Sequence, residues 1–369
     1  MEKFLFIGSH SEGKMETRFE KKNNKESIPG KNFKPADFSI VIPTFNSVNL
    51  LLRCLEALEK QSAHKSKFEV VVSDDGSSDK TVETLSEFQT KTKLNFKWTT
   101  ILNSGPGNAR NAGVKISSGS WIGFLDADVI PNYNWVDNSI KLIQKNPYAG
   151  AFEGCTKVSQ REIATPFSHQ TENLNGGRYP TCNFLVRRSL ARFYSAYKIP
   201  FREDTDLAFS ILESGYEIIF SPELIVEHPP LPSKYSRPIF LARRYYYDGL
   251  LARRFPYRYR LELDSHQILG IKIPHLKKKL FTIFAVSQII LLYVLTSEIN
   301  SFILPSVFFY VTNIFVSAAT SLRFSNLMIL SLKDWLVFFV QLNIIPWIMG
   351  YSLIRGWYDF RKEKEFSKK

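Results

Sequence analysis

The chain has 369 residues, 44% of them apolar, enough for one sizeable core and a second module. Its 48 basic and 35 acidic residues leave a formal charge of +13, which suits nucleic acid, an anionic membrane or a phosphorylated ligand. Much of the excess lies at 234–279 and in the C-terminal tail, beside long apolar runs, which favours a membrane and sets nucleic acid aside.

In chain order, residues 1–10 hold a short apolar stretch without a cleavage site, so no secretory signal is expected. With the Lys-, Asn- and Gly-rich run that follows, 1–37 reads as a flexible basic leader. From 38 the text alternates: strand 38–42, helix 48–60, strand 68–73, helix 80–90, strand 96–102, helix 108–117, strand 121–125. That rhythm predicts right-handed βαβ crossovers, an α/β class and a mainly parallel sheet, with ligands at the carboxyl ends of its strands. A looser region follows, with 149–158, 182–188, a helix at 205–214, and 217–228. The scattered Cys54, Cys155 and Cys182 lack CxxC spacing, so neither a disulfide framework nor a zinc site is expected and a reduced, cytosolic setting fits. Beyond 238 come interleaved Arg and Tyr, then apolar stretches at 280–295, 302–319 and 335–354. Their lengths straddle that of a transmembrane helix; the third meets it best and the first falls just short.

Several strand ends carry chemistry. Asp126 and Asp128 close the Trp121–Val129 run one residue apart. On an extended chain they face the same side, where they can share a divalent cation or divide metal and sugar between them; a turn with solvated acids is the plainer outcome. Pro43-Thr44-Phe45-Asn46 offers an aromatic for a base, and Asp74-Asp75-Gly76-Ser77 either an acceptor for base or ribose or an ordinary cap. The Ser104–Gly113 run is a glycine-rich turn feeding a helix, with Arg110 expected in its first turn, suited to a diphosphate or simply a capped helix with a surface arginine.

Together these motifs resemble the inverting family 2 glycosyltransferases, of GT-A fold, over about 38–229. The resemblance implies that Pro43 and Phe45 contact the nucleobase, Asp75 reads it, and Arg110 supports the donor. It puts Asp126 near the ribose and beside the metal, Asp128 on the metal, and His228 in the same shell around Mg²⁺ or Mn²⁺. Phe201-Arg202-Glu203-Asp204 looks like the family's Glu-Asp motif, with Asp204 as general base, Glu203 orienting the acceptor and Asp206 a rival at i+2. Thr181-Cys182-Asn183 is similar to an acceptor-side Gly-x-Asn, with Thr in place of glycine. The Arg243–Phe255 segment is similar to what precedes the membrane helices of polysaccharide-assembly members, while the Gln-x-x-Arg-Trp signature of processive synthases is missing.

The organisation expected is thus a leader (1–37), a GT-A domain (38–235), a basic aromatic interfacial segment (236–279), transmembrane helices (280–355) and a basic tail (356–369). The implied enzyme is a multi-pass protein of the cytoplasmic membrane with its catalytic domain inside. It takes a UDP- or GDP-sugar as donor and a lipid-linked or membrane-associated acceptor, without nucleic acid. Lys277–Lys279 and the basic tail both belong inside, so an even number of crossings is expected. A polyprenyl-phosphate sugar synthase, a non-catalytic scaffold with a transferase-like domain, and more remotely a nucleotidyltransferase are the alternatives.

Overall fold

A computed structural model describes residues 37–367 except 160–162, 170, 264–265, 269–270, 274–275, 298–299 and 323–326. The leader expected at 1–37 therefore lies, Asp37 apart, outside the described residues. Three βα units and a fourth strand come first: β1 (Phe38–Thr44), α1 (Val48–Glu59), β2 (Glu69–Asp74), α2 (Thr81–Lys91), β3 (Asn95–Thr100), α3 (Pro106–Ile116) and β4 (Trp121–Leu125). Strands β1, β2 and β4 are buried at every position, as strands covered by helices on both faces must be. Helix α1 turns Leu51, Cys54, Leu55 and Leu58 to the sheet, the i, i+3, i+4, i+7 stripe of an amphipathic helix.

The sheet has eight strands in the order β3-β2-β1-β4-β7-β6-β8-β5, completed by β5 (Ile130–Pro131), β6 (Ala151–Val158), β7 (Asn183–Arg187) and β8 (Ile218–His228). The parallel sheet expected holds across β3, β2, β1 and β4. Beyond β4 it becomes mixed, because β7 runs antiparallel to both β4 and β6. Asn183 ties this half together: its amide donates to the Cys155 and Leu224 carbonyls and accepts from the Trp135 indole of α4 (Trp135–Lys145). One core joins the halves, with Val41, Val71 and Phe124 meeting Phe184 and Val186 and closed by Leu207 and Ile211 of α5 (Glu203–Glu213). The acidic N-terminus of α5 is thereby fixed against the strand ends.

The C-terminal third forms α6 (Arg237–Arg243), a 3-10 turn at Arg244–Tyr247, α7 (Asp248–Arg254), α8 (Pro256–Glu262), the hairpin β9 (His266–Ile268) and β10 (Ile271–Ile273), then α9 (Leu276–Thr296), α10 (Ile303–Leu322) and α11 (Leu332–Asp359). Among the described residues two helices, Lys278–Thr296 and Leu332–Asp359, are long and apolar enough to cross a membrane; the middle one, Ile303–Ala319, is the short one. The first apolar stretch is thus longer than its sequence suggests, because Lys278 and Lys279 extend its helix.

Helix α11 opens on a Ser331–Asp334 capping box and buries Phe338, Leu342, Ile345, Met349, Ser352 and Gly356. That stripe lies along the segment before it: Gln341 donates to the Tyr235 carbonyl, Asp334 accepts from the Tyr235 hydroxyl, and Gly356 sits against the Tyr246 backbone with no room for a side chain. The tail folds back, Glu363 accepting from the Tyr194 hydroxyl and Phe366 stacking on Phe255 at 5.2 Å. Lys278, at the start of α9, pairs with the buried Asp248.

Candidate active site

The turns at the ends of β1 and β2 hold each other. Asn46, at a positive φ of 49°, accepts from the Ser78 and Asp79 N–H groups and donates its own N–H to the Ser77 hydroxyl. Asp74 is buried and accepts from Ser77 N–H and the Thr100 hydroxyl, so it serves the turn. Asp75 receives the Ser104 N–H at 2.8 Å and the Gly105 N–H at 2.9 Å, one on each oxygen, which clamps the glycine turn to the end of β2. Gly105 has φ +95°, and a Cβ there would come within 2.7 Å of the Lys198 carbonyl, so only glycine fits.

These turns open onto a cavity of about 380 Å³ whose lining includes Pro43, Phe45, Asp75, Arg110, Asp126 and Asp128. All five of the nucleotide-side residues read from the sequence, and Asp128, therefore share one pocket. Phe45 is half exposed there. Helix α3 begins at Pro106, as proline at the first helical position favours, so Arg110 stands just past the first turn. The N–H groups of Ser104, Gly105, Asn108 and Ala109 all have partners within the protein. The expected anion cradle of free helix N–H groups is thus largely closed, and the cations lining the pocket are Arg110 and Lys198.

Arg110 is buried, 3% exposed, with Nη2 2.6 Å from Asp126 Oδ1 and Nη1 3.6 Å from Glu203 Oε1. Its Nε and Nη1 have no hydrogen-bond partner. Burial works against the charge, but Asp126 and Glu203 outweigh it and hold the guanidinium's pKa above its usual value. Glu203 sits behind this group with Oε2 unpartnered, and burial, helped by the Asp204 charge and opposed by Arg110, pushes its carboxyl up to about 8.

Among the described residues Asp204 accepts from the adjacent Thr205 N–H alone, and burial raises its pKa above the usual value. Asp206 is different: Arg254 grips both its oxygens at 2.6 and 3.1 Å, and the Tyr197 hydroxyl donates at 3.1 Å. That carboxylate is held by packing partners, whereas Asp204 is not. Arg202, which precedes α5, holds a left-handed φ of 73°. Such strain in a non-glycine residue needs an anchor, here Asp248, whose Oδ1 accepts from Arg202 Nε at 2.7 Å.

On the opposite wall Asp128 Oδ1 is buried without a partner and Oδ2 stands 3.7 Å from His228 Nε2. His228 Nδ1 is 3.0 Å from the Pro229 carbonyl, which can only accept, so in the neutral ring the proton is on Nδ1 and the Nε2 lone pair faces Asp128. Burial raises the Asp128 carboxyl, with His228 opposing and Asp126 adding. Among the described residues no group of three or more His, Cys, Asp or Glu gathers as a ready metal cage. Asp126 is turned to Arg110, leaving Asp128 and His228 as the pair that fits a cation completed by phosphate and water, as Mg²⁺ prefers.

Local sequence gave no sign of three further neighbours. His169 packs edge-on to His228 at 5.8 Å, and burial lowers its pKa to about 3. Arg237 and Arg244, both with a buried, unpartnered Nε, approach from the basic segment close enough to feel Asp128 and the Glu203-Asp204 pair respectively.

Residues 39–209 match the sequence model of glycosyl transferase family 2. The chain carries a family 2 glycosyltransferase domain. That domain is similar to glycosyltransferase AglE of Haloferax volcanii, 27% identical over 208 residues that cover 53% of this chain and 67% of AglE. It is also 32% identical over 109 residues to the poly(ribitol-phosphate) beta-N-acetylglucosaminyltransferase TarS of Staphylococcus aureus, covering 30% of this chain and only 19% of TarS. Among solved structures, the mannosyltransferase PcManGT from Pyrobaculum calidifontis, in complex with GDP-Man and Mn²⁺, superposes with a TM-score of 0.50 at 17% identity, covering 89% of this chain and 90% of that one. The transferase domain has the GT-A fold that its motifs implied, with a mixed rather than wholly parallel sheet.

Proposed function

We propose that the chain moves one sugar, with inversion, from a UDP- or GDP-sugar to a lipid-linked acceptor at the cytoplasmic face of the membrane, in cell-surface polysaccharide or glycolipid assembly. The observation that carries this reading is Arg110, a buried cation with two unused N–H directions on the wall of a pocket bounded by Asp75, Asp126 and Asp128. A diphosphate supplies the charge and the acceptors that Arg110 lacks. Phe45 and Pro43 give the nucleobase a flat apolar seat, and Asp126, steered by Arg110, faces the ribose. Asp128 and His228 would hold a divalent cation, Mg²⁺ or Mn²⁺, which when bound neutralises the departing diphosphate.

Asp204 takes the proton of the acceptor hydroxyl. Burial raises its pKa, the direction that makes it a stronger base, and Glu203 behind it maintains the Arg110 position and helps orient the acceptor. The two long apolar helices and the exposed aromatic face of α11 support membrane association of the 280–355 region.

The test is a panel of labelled nucleotide sugars incubated with membranes containing the protein, followed by lipid extraction. Label in the organic phase that disappears in Asp204→Asn is the expected result; near-normal label in that variant overturns the role of Asp204. A phosphate as the attacking group, as in a polyprenyl-phosphate sugar synthase, carries its own negative charge and tolerates that substitution, so the same variant separates the two readings.

A further inference from the structure

A second cavity, of about 790 Å³, lies between the basic segment and α11, outside the matched family region apart from Ile199, which lines both this cavity and the donor pocket. Its walls are Tyr246 on one side and Trp347 and Tyr351 on the other, with Arg243 and Arg355 as its charged lining. We infer that this groove seats the phosphate-bearing head of a long-chain lipid, placing whatever the lipid carries across the Ile199–Pro200 ridge from the donor pocket. The inference rests on the lipid-linked acceptor proposed above and names where that acceptor is held.

Three observations carry it. The first is charge: no carboxylate lines the groove, and Arg243 is exposed without a carboxylate partner among the described residues. Arg355 meets Asp359 at 3.4 Å in a partly exposed pair, and lies 5.9 Å over the Tyr246 ring and beside Tyr351, a carboxylate pairing weak enough for a phosphate to displace.

The second is depth. A 28-residue helix is about 42 Å long, against a hydrocarbon core of about 30 Å. Its C-terminal part exposes Trp347, Tyr351, Trp357 and Tyr358, the residue types that settle at headgroup level. A groove lined by Trp347, Tyr351 and Arg355 then stands where lipid phosphates lie, with Ile348 and the apolar face below it for the chain.

The third is continuity. Arg244 donates to the Pro200 carbonyl at 2.9 Å and leaves its buried Nε unpartnered, so the ridge itself carries an unsatisfied cation facing the Glu203-Asp204 side.

The test uses the purified full chain in mixed micelles, with retention of radiolabelled polyprenyl phosphate as the measure of binding and nucleotide binding plus thermal midpoint as the fold control. Saturable binding is expected, competed by unlabelled polyprenyl phosphate and not by polyprenol or by inorganic phosphate. Arg243→Ala and Arg355→Ala each weaken it about tenfold, while Arg260→Ala, an exposed arginine outside the groove, changes nothing. Should an alanine variant fail to fold, Arg243→Lys and Arg355→Lys retain a charge and keep most of the binding.

Equal competition by polyprenol, full displacement by inorganic phosphate, or an Arg260→Ala loss as large as the groove variants' overturns the inference. Lipid-phosphate binding without sugar transfer upholds the groove and sinks the proposed function. Transfer to lipid that is indifferent to both arginines does the reverse.

Discussion

Two arginine–carboxylate clusters meet at the α5 N-terminus, and they are finished to different degrees. Around Arg254 no buried side-chain atom of the pair is left unpartnered: Asp206 is gripped bidentately, the Tyr197 hydroxyl donates to it, and the guanidinium lies 3.7 Å over the Tyr194 ring. Around Arg110 the bonding stops short, with Nε, Nη1, Glu203 Oε2 and, across the pocket, Asp128 Oδ1 all buried and unpartnered. Buried polar groups left open cost free energy unless a ligand completes them. The contrast separates a cluster that holds the fold from one that awaits a substrate, although both are made of the same residue types within a few positions.

Breaking the finished cluster has the largest expected effect on stability. Arg254→Ala leaves the Asp206 charge buried without its partner and lowers stability by about 3–5 kcal/mol, read as a fall in the denaturation midpoint. Turnover per folded molecule stays near native; a loss of turnover at native stability would erase the distinction.

Disturbing the open cluster comes next. Arg110→Lys keeps a charge and loses the planar fork, so kcat/KM for the donor falls about 10- to 100-fold, roughly 1.4–3 kcal/mol, at little cost in stability. Gly105→Ala forces a side chain into a left-handed turn against Lys198, costing about 1–3 kcal/mol and loosening the Asp75 clamp, visible as weaker nucleotide binding together with a lower midpoint.

The remaining effect is a pH slope. The Glu203 carboxyl, raised in the fold from the usual 4.5 to about 8, binds its proton more tightly folded than unfolded. Its contribution to stability is therefore full below about 4.5 and is lost as pH rises towards 8. Denaturation midpoints across that window should fall for the native chain and run flatter for Glu203→Gln.

The open cluster was largely legible in the sequence and the finished one was not. Asp75, Asp126 and Asp128 each follow a strand that reads as a buried apolar run, and Arg110 follows the glycine-rich turn after β3; in a parallel sheet those strand ends must converge. Asp204 was placed by its motif. Asp206, two residues on, differs only through Arg254, 48 residues away, and no local pattern announces that pairing. The same blindness covers Arg237, Arg244 and His169, which reach the site by tertiary packing. It covers β7 too: alternation marks a strand but not its neighbour, so an antiparallel return beside β4 looked no different from another parallel strand. The pairing of Lys278 with Asp248 is again a long-range fact.

The most direct test measures sugar transfer by Asp204→Asn and Asp206→Asn side by side, each normalised to folded protein. With a hydroxyl acceptor, Asp204→Asn is expected to lose about a thousandfold in turnover at a native denaturation midpoint. Asp206→Asn is expected to melt earlier and to turn over nearly as the native chain does. Near-native transfer by Asp204→Asn together with a collapse in Asp206→Asn at full stability would contradict the account.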